Sequence, residues 1–316
     1  MTKQHAVILD EKSFNPGDLN LDGLIAQLDA WDRYEYTTPD QRLARLQNAT
    51  IAIANKVVFD ADLLAQLPNL KLILLTATGM DNVDQDYCKA NGIAFNNVTD
   101  YCTGAVSQHV FSLLLALSTQ LIPYSNFTKN GDWSRSGQFS SLNYPVQELA
   151  GKTLGLIGYG NLAKGVEKLA IAFDMNILIS ERVGTTSSSS KRLPLAELLS
   201  KVDVLSIHCP LTPETKHLIS TAEFKQMKQS AFIINTSRGA VIDNAALATA
   251  LKAGEIAGAG IDVLDQEPPP IDHPLLSDDI PNLIVTPHTA WAAIEARQRV
   301  IDKVADNLRN WLTEKD

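Results

Sequence analysis

Short apolar runs recur along this chain of 316 residues, at 6–9, 51–54, 72–76, 153–157, 176–180, 204–208, 231–235, 257–262 and 283–286. Helix-length amphipathic stretches lie between most of them, for example at 20–30, 61–66 and 84–90. Strand–helix alternation of this kind predicts an α/β fold with parallel sheets covered on both faces. It fixes a fold class and says nothing of chemistry.

The alternation breaks once. Residues 105–121 read as one long helix, and 128–149 are polar and aromatic, with Gly131, Gly137 and Pro145, as in an extended surface excursion. A second alternating block starts at Gly151. The length suits two domains. The last helical stretch, 291–312, carries Ile294, Val300, Ile301, Val304 and Leu308 at helical spacing and is expected to pack back on the first block. The expected domains are therefore 1–100 with 290–316, and 101–289. Apolar residues line more than one face of 105–121, so this helix and the excursion after it are expected to form a homodimer interface. The hydroxyl run at 185–190 reads as a surface loop.

A net charge of −9 without a basic stripe speaks against nucleic acid as a partner. It leaves an anionic substrate open, because local cations can dominate a cleft. Cys88, Cys102 and Cys209 have neither metal-ligand nor redox-pair spacing, so no metal is expected and a reducing cytoplasm is. The polar start has no signal-peptide zones. The longest largely apolar run, 111–117, is too short to span a bilayer, so no membrane partner is expected.

At 153–163 a strand, a tight glycine turn and a helix follow one another in the order G-x-G-x-x-A. Gly158 permits the turn, Gly160 lets the backbone approach a pyrophosphate, and Ala163 lets the helix pack close to the sheet. The following helix, over 162–173, points its first amides at the phosphates, and Asn161 and Leu162 at its start are expected cofactor contacts. The next strand ends at Glu181, 21 residues after Gly160, where an acid accepts hydrogen bonds from the adenosine ribose. A carboxylate there repels a 2′-phosphate, which favours NAD(H). Arg182 beside it leaves NADP as a weaker alternative.

Three later strand ends hold the remaining chemistry. Arg238 follows a buried strand, and a bidentate grip on a carboxylate is the natural use of such an Arg. Asp262, Asp265 and Glu267 cluster at and beyond the next strand end. His288 stands between Pro287 and the last helix. Hydride transfer to a keto acid needs a cation for the carboxylate, a proton donor for the carbonyl and a group that keeps the donor charged. Arg238, His288 and Glu267 fit these roles, with Asp265 the next carboxylate in line. Each has a plain structural alternative: an ion pair of Arg238 with Asp243, a loop charge for Glu267, a core or surface role for His288.

The segments "ELAGKTLGLIGYGNLA", "HCPLTPETKHLI", "NTSRGAVID", "GAGIDVLDQEPP" and "NLIVTPHTAW", in this order and spacing, resemble the D-2-hydroxyacid dehydrogenase family over nearly the whole chain. "ATGMDNVD", "NVTDYCTGAVSQHVFSLLLAL" and "PHTAW" resemble its glycerate dehydrogenase, or hydroxypyruvate reductase, branch. The resemblance implies two Rossmann-like domains, one flavodoxin-like and one dinucleotide-binding, with a cleft between them. It implies reversible NAD(H)-dependent reduction of a small 2-keto acid, hydroxypyruvate or glyoxylate by preference, to D-glycerate or glycolate. By the same resemblance Arg238, Glu267 and His288 are catalytic, and Asp262 fixes the nicotinamide carboxamide. His208, Pro210, Thr215, Thr236, Ser237, Arg238 and His288 contact the cofactor. Lys56, Ala77, Thr78 and Gly79, with Arg238 and His288, contact the substrate.

The chain departs from the family at Leu162-Ala163, usually Ile-Gly, and at Asp174, usually Gly, where an Asp is expected to accept a left-handed backbone. Two other readings stay open: a broader D-2-ketoacid reductase, and a non-catalytic NAD-sensing corepressor on the same fold. Formate dehydrogenase requires Gln in an active-site motif where this chain has Glu267.

Overall fold

All strand pairs among the described residues are parallel, and they form two separate sheets. The structure is a computed structural model that describes residues 4–182, 184–185 and 192–314. It divides into unit 1, Met1–Cys102 with Ala292–Asp316, and unit 2, Thr103–Trp291.

Unit 1 holds β1 (Ala6–Ile8), β2 (Trp31–Arg33), β3 (Ile51–Ala54), β4 (Leu72–Leu75) and β5 (Ala94–Asn96), in the spatial order β2-β1-β3-β4-β5. This is the flavodoxin-like doubly wound order, with its reversal between β1 and β3. Four short helices accompany it: α1 (Asp22–Ile25), α2 (Arg42–Leu46), α3 (Ala61–Leu64) and α4 (Gln85–Ala90). The helix expected over 20–30 shrinks to α1, because the chain must be extended again at Trp31 to enter β2.

Unit 2 opens with α5 (Thr103–Ser118), α6 (Leu121–Lys129) and α7 (Asp132–Ser136). Its sheet comprises β6 (Thr153–Ile157), β7 (Asn176–Ser180), β8 (Arg192–Leu193), β9 (Val204–Ile207), β10 (Phe232–Asn235), β11 (Gly258–Ile261) and β12 (Leu283–Val285). The helices α8 (Asn161–Ala172), α9 (Leu195–Lys201), α10 (Thr221–Phe224) and α11 (Asn244–Ala253) connect them. The order β12-β11-β10-β9-β6-β7-β8 is that of a dinucleotide-binding sheet with one added strand, reversing between β6 and β9. α12 (Ile294–Thr313) rejoins unit 1 and packs on α1 and β4. Its buried Val300, Ile301, Val304 and Leu308 form one stripe, and Arg297 holds Asp18 bidentately at 2.7 and 2.6 Å.

Every expected strand forms, within one residue at either end. The long helix expected over 105–121 ends at Ser118, and Gln120 at φ +54° starts α6 at a bend of 60°. The expected excursion over 128–149 is helical through α7 and irregular only beyond Gly137, itself at φ +66°. α5 packs on α8 and on β10 and β11. A Cβ on Gly165 would stand 2.4 Å from Ser107 Oγ, and one on Gly260 2.9 Å from Leu113 Cβ. These apolar faces of α5 are used inside its own unit. Asp174 does take the left-handed backbone, at φ +54°. Of the hydroxyl run at 185–190 only Thr185 is among the described residues. Among those residues, no single helix is long and apolar enough to cross a membrane.

Candidate active site

The glycine turn sits where the strand order of unit 2 reverses. Gly158 has φ +84°, and a Cβ there would lie 2.7 Å from His208 C, His208 O and Cys209 N. The turn therefore presses directly on the backbone leaving β9, and only glycine allows it. Gly160 differs: a Cβ there meets no protein atom within 4 Å. It precedes α8, whose N-terminus has no side-chain cap, so the helix offers its first amides to an anion.

Two polar atoms at the ends of β9 and β10 are buried without a hydrogen-bond partner: His208 Nδ1 and Thr236 Oγ1. Such orphans cost free energy unless a ligand or water satisfies them. The other ring nitrogen of His208 is 2.8 Å from Ser206 Oγ, and burial pushes its pKa down to about 4, so the ring is neutral at pH 7. Thr215 Oγ1 donates to Pro210 O at 2.7 Å and accepts from Thr212 N, tying the loop after β9 into a knot. Glu181 follows β7, half-buried, with its amide on Leu193 O. Arg182 is exposed. The carboxyl of Glu214 is held below its ordinary value by the Thr212 hydroxyl first and by Arg182 among lesser causes. The open cradle at Gly160, the uncapped helix and the two orphaned atoms fit a dinucleotide.

Arg238 is placed by backbone packing. Asn235, fully buried, accepts from Ser237 N and Oγ at 3.0 and 2.9 Å and donates to Arg238 O at 3.0 Å. A Cβ on Gly239 would stand 1.9 Å from Leu264 C, so this turn lies flat against the loop after β11. Arg238 itself is half-buried, with Nη1 on Ser237 O at 2.8 Å. Asp243, the alternative partner, caps α11 through Ala246 N and accepts from Ser220 Oγ.

His288 is placed by Asp262. The His288 amide donates to Asp262 O at 2.8 Å, Thr289 N to Asp262 Oδ1 and Ala290 N to Oδ2, both at 2.9 Å. Thr286 Oγ1 adds a bond to Oδ1 at 2.5 Å, and His109 Nε2 on α5 lies 3.0 Å from that hydroxyl. Burial raises the Asp262 pKa, but the bonds from His109, Thr286, Ala290 and Thr289 outweigh it and hold the carboxyl below its ordinary value. The amides wrapped around this anion fix His288 at φ +55°, a strained value for a side chain of its size. Expected as a nicotinamide contact, the Asp262 side chain is wholly buried and occupied with the segment that bears His288.

His288 Nδ1 and Glu267 Oε2 are 2.6 Å apart. Glu267 Oε1 accepts from Leu264 N at 2.9 Å, which sets the carboxylate plane. Asp265, next in line as a partner, turns instead to His273 at 2.8 Å. A cavity of about 440 Å3 opens at the pair, walled by Leu264, Pro268, Pro269, Leu276, Val285 and Pro287.

Unit 1 carries the remaining expected residues at the carboxyl ends of two adjacent strands. Lys56 follows β3, exposed, with its amide on Asp10 Oδ2 at 2.7 Å. Ala77, Thr78 and Gly79 follow β4. Ala77 O accepts from Val98 N, and Thr78 Oγ1 donates to Val98 O at 2.8 Å. Sequence reasoning passed over Asn235, Gly239, His109 and His273 as site residues. Asn235 and Gly239 flank the expected Arg within one quoted segment, and His109 is a polar residue inside an apolar helix.

The D-isomer specific 2-hydroxyacid dehydrogenase family matches the chain through its NAD binding domain, over residues 111–290. The chain is 43% identical to a glycerate dehydrogenase of Methylorubrum extorquens, covering 100% of this chain and 98% of that one. It is 34% identical to a hydroxypyruvate reductase of Blautia hydrogenotrophica, over 97% of this chain and 96% of that one. Among solved structures it is similar to D-lactate dehydrogenase from Aquifex aeolicus, complexed with NAD and lactic acid. That likeness has a TM-score of 0.81 and 26% identity and covers 98% and 96% of the two chains.

Proposed function

The chain belongs to the D-isomer specific 2-hydroxyacid dehydrogenase family, and on that premise we propose that it reduces hydroxypyruvate to D-glycerate, or glyoxylate to glycolate, with NADH. The observation that carries the reading is the 2.6 Å contact of His288 Nδ1 with Glu267, on a carboxylate already oriented by Leu264 N. NADH supplies the hydride when bound. Arg238 offers a planar fork to the substrate carboxylate. With Nδ1 engaged by Glu267, the Nε2–H of His288 is the proton donor to the carbonyl oxygen. Glu267 orients the ring through Nδ1 and pairs with the charge it carries before transfer. A side chain that keeps 29% of its surface exposed regains its proton from water. Gly158, Gly160, Asn161, Leu162, Glu181, His208 and Thr236 hold the nucleotide, with Pro210, Thr215, Ser237 and Asp262 shaping its surroundings. Lys56 and Ala77–Gly79 contribute substrate contacts from the carboxyl end of their own sheet.

The active form is a homodimer in this proposal, and the surface that supports it lies beyond α5. Phe139 and Leu142 are 97% and 91% exposed, and Leu121, Ile122, Trp133 and Val146 are exposed with them, exposed apolar side chains of the kind that mark an interaction surface. Three free cysteines, all buried, suit a reducing cytoplasm.

A pH series of kcat/KM for hydroxypyruvate reduction tests the acid/base assignment. Reduction should fall as pH rises, and the reverse reaction should gain, because one direction needs the imidazolium and the other the imidazole. Glu267→Gln keeps the shape and removes the charge, so reduction should fail at lower pH than in the wild type. An unmoved profile removes Glu267 as the partner. A chain that binds NADH but reduces no 2-keto acid is a sensor and not an enzyme.

A further inference from the structure

Glu267 reaches His288 from a loop with little to hold it. Gln266, Glu267, Pro268, Pro270, Ile271 and Asp272 are all exposed, and Ile271 is 98% so. Within this stretch one polar side chain is buried: His273, 5% exposed. Its two ring nitrogens have different partners. Nδ1 lies 3.2 Å from the amide nitrogen of Leu275 and accepts its proton, so Nδ1 carries no hydrogen. The ring hydrogen therefore sits on Nε2, which donates to Asp265 Oδ1 at 2.8 Å. Leu275, 2% exposed, anchors the turn that His273 caps. Asp265 lies at the other end, where the loop backbone rests on Gly239.

We propose that His273 is a positioning residue for the acid/base pair: it clasps Asp265 across the loop and so fixes the backbone from which Glu267 reaches His288. A free loop of this length loses conformational entropy each time it presents its carboxylate. The clasp settles that loss in the folded protein. Without it Glu267 is presented to His288 from a backbone that is free to move. A displacement of about 1 Å in a catalytic constellation costs about a hundredfold in rate. The inference rests on the proposed acid/base role of His288 and Glu267.

Asp265→Ala tests it, because this carboxylate is 42% exposed and its loss empties no core. Expected are a fall in kcat for hydroxypyruvate reduction of about tenfold to a hundredfold, an alkaline limb of the pH profile moved to lower pH, and an unchanged Kd for NADH by fluorescence titration. Asp265→Asn keeps an acceptor for Nε2–H and should restore the wild-type profile. His273→Phe should repeat Asp265→Ala; if it fails to fold, Asp265→Ala stands alone. The His288 ring titration, followed by NMR in the full chain and assigned with His288→Gln, reads the same coupling without turnover. Asp262 and Arg238, the other charged groups around the pair, are unaltered in these variants. The clasp is overturned if Asp265→Ala leaves both the His288 titration and the pH profile in place, or if Asp265→Asn behaves as Ala does. Lack of turnover in the wild type overturns the proposed reaction, while the NMR titration still decides the clasp.

Discussion

In unit 2 the strand order reverses between β6 and β9, and the chain leaves β6 through Gly158. In unit 1 it reverses between β1 and β3, and the chain leaves β1 through Leu9 and the buried Asp10. Such switch points are where doubly wound sheets bind ligands. The two crevices are nevertheless opposite in charge. At Gly160 an added Cβ would meet no protein atom within 4 Å, and α8 has no side-chain cap. In unit 1 the carboxylate of Asp10 fills that role itself, taking Asn55 N at 2.9 Å and Lys56 N at 2.7 Å. One crevice leaves its helix start without a side-chain cap, and the other satisfies its amides with an internal carboxylate. A shared topology thus need not give a shared anion site, and one side chain at the end of the first strand makes the difference.

The largest test of this contrast is Gly158→Ala against Gly160→Ala. At Gly158 the added methyl meets backbone 2.7 Å away at φ +84°. The left-handed backbone costs about 1–2 kcal/mol, and overpacking against atoms that cannot yield adds about 1–3 kcal/mol. Both thermal stability and NADH affinity should fall. Gly160→Ala meets open space, so its Tm should stay while NADH affinity drops by about tenfold or more, roughly 1.4 kcal/mol. Normal NADH binding by Gly160→Ala would mean that no pyrophosphate lies there.

Asp10 gives the converse test. Asp10→Ala leaves two amides unpaired in a buried crevice, at about 1–3 kcal/mol each. Urea unfolding should show that loss, with NADH affinity unchanged. Burial raises the Asp10 pKa, and the amides of Lys56, Asn55 and Val57 with the Ser13 hydroxyl offset it only in part. A carboxyl whose pKa is raised on folding binds its proton better folded than unfolded. Its stabilising contribution is full below the unfolded value of 3.8 and is lost as pH rises through the folded one. The stability of wild type relative to Asp10→Asn should therefore grow as pH falls from 7 towards 4. A gap independent of pH would show that Asp10 does not titrate in this way.

The same contrast marks what could be read in the residues. β3, β4, β6, β9 and β10 are apolar runs because both their faces are covered, and each stands where the alternation puts it. β2, β5 and β8 escaped notice, and all three are sheet edges. Trp31-Asp32-Arg33 and Arg192-Leu193 meet solvent along one side and need no apolar run. In the site, Gly158, Glu267 and His288 announce themselves by residue type at a strand end. Asn235, His109 and His273 act through hydrogen bonds to neighbours that only the folded chain supplies, so nothing in their spacing signals them. The apolar faces of α5 are ambiguous for the same reason: composition shows that a face must be covered, and not by what.

The smallest expected effect concerns the far end of the nucleotide crevice, where charge and not shape decides. β7 runs parallel beside β6, so Glu181 emerges next to the glycine turn, on the side where an adenosine ribose would lie. A carboxylate accepts hydrogen bonds from the 2′- and 3′-hydroxyls and repels a 2′-phosphate. Arg182 opposes that preference only if its guanidinium is available, and it already acts on the Glu214 carboxylate. At an exposed position such repulsion is screened by salt, so the preference should be modest. We expect kcat/KM for NADH to exceed that for NADPH by about tenfold, roughly 1.4 kcal/mol. Glu181→Ala should narrow the ratio by weakening NADH and relieving NADPH. Arg182→Ala should leave NADH unchanged, and a large loss with NADPH alone would identify Arg182 as a phosphate ligand. Equal efficiencies in the wild type, or a preference for NADPH, would show that Glu181 does not face the ribose, and the charge contrast between the two crevices would then stop at Gly160.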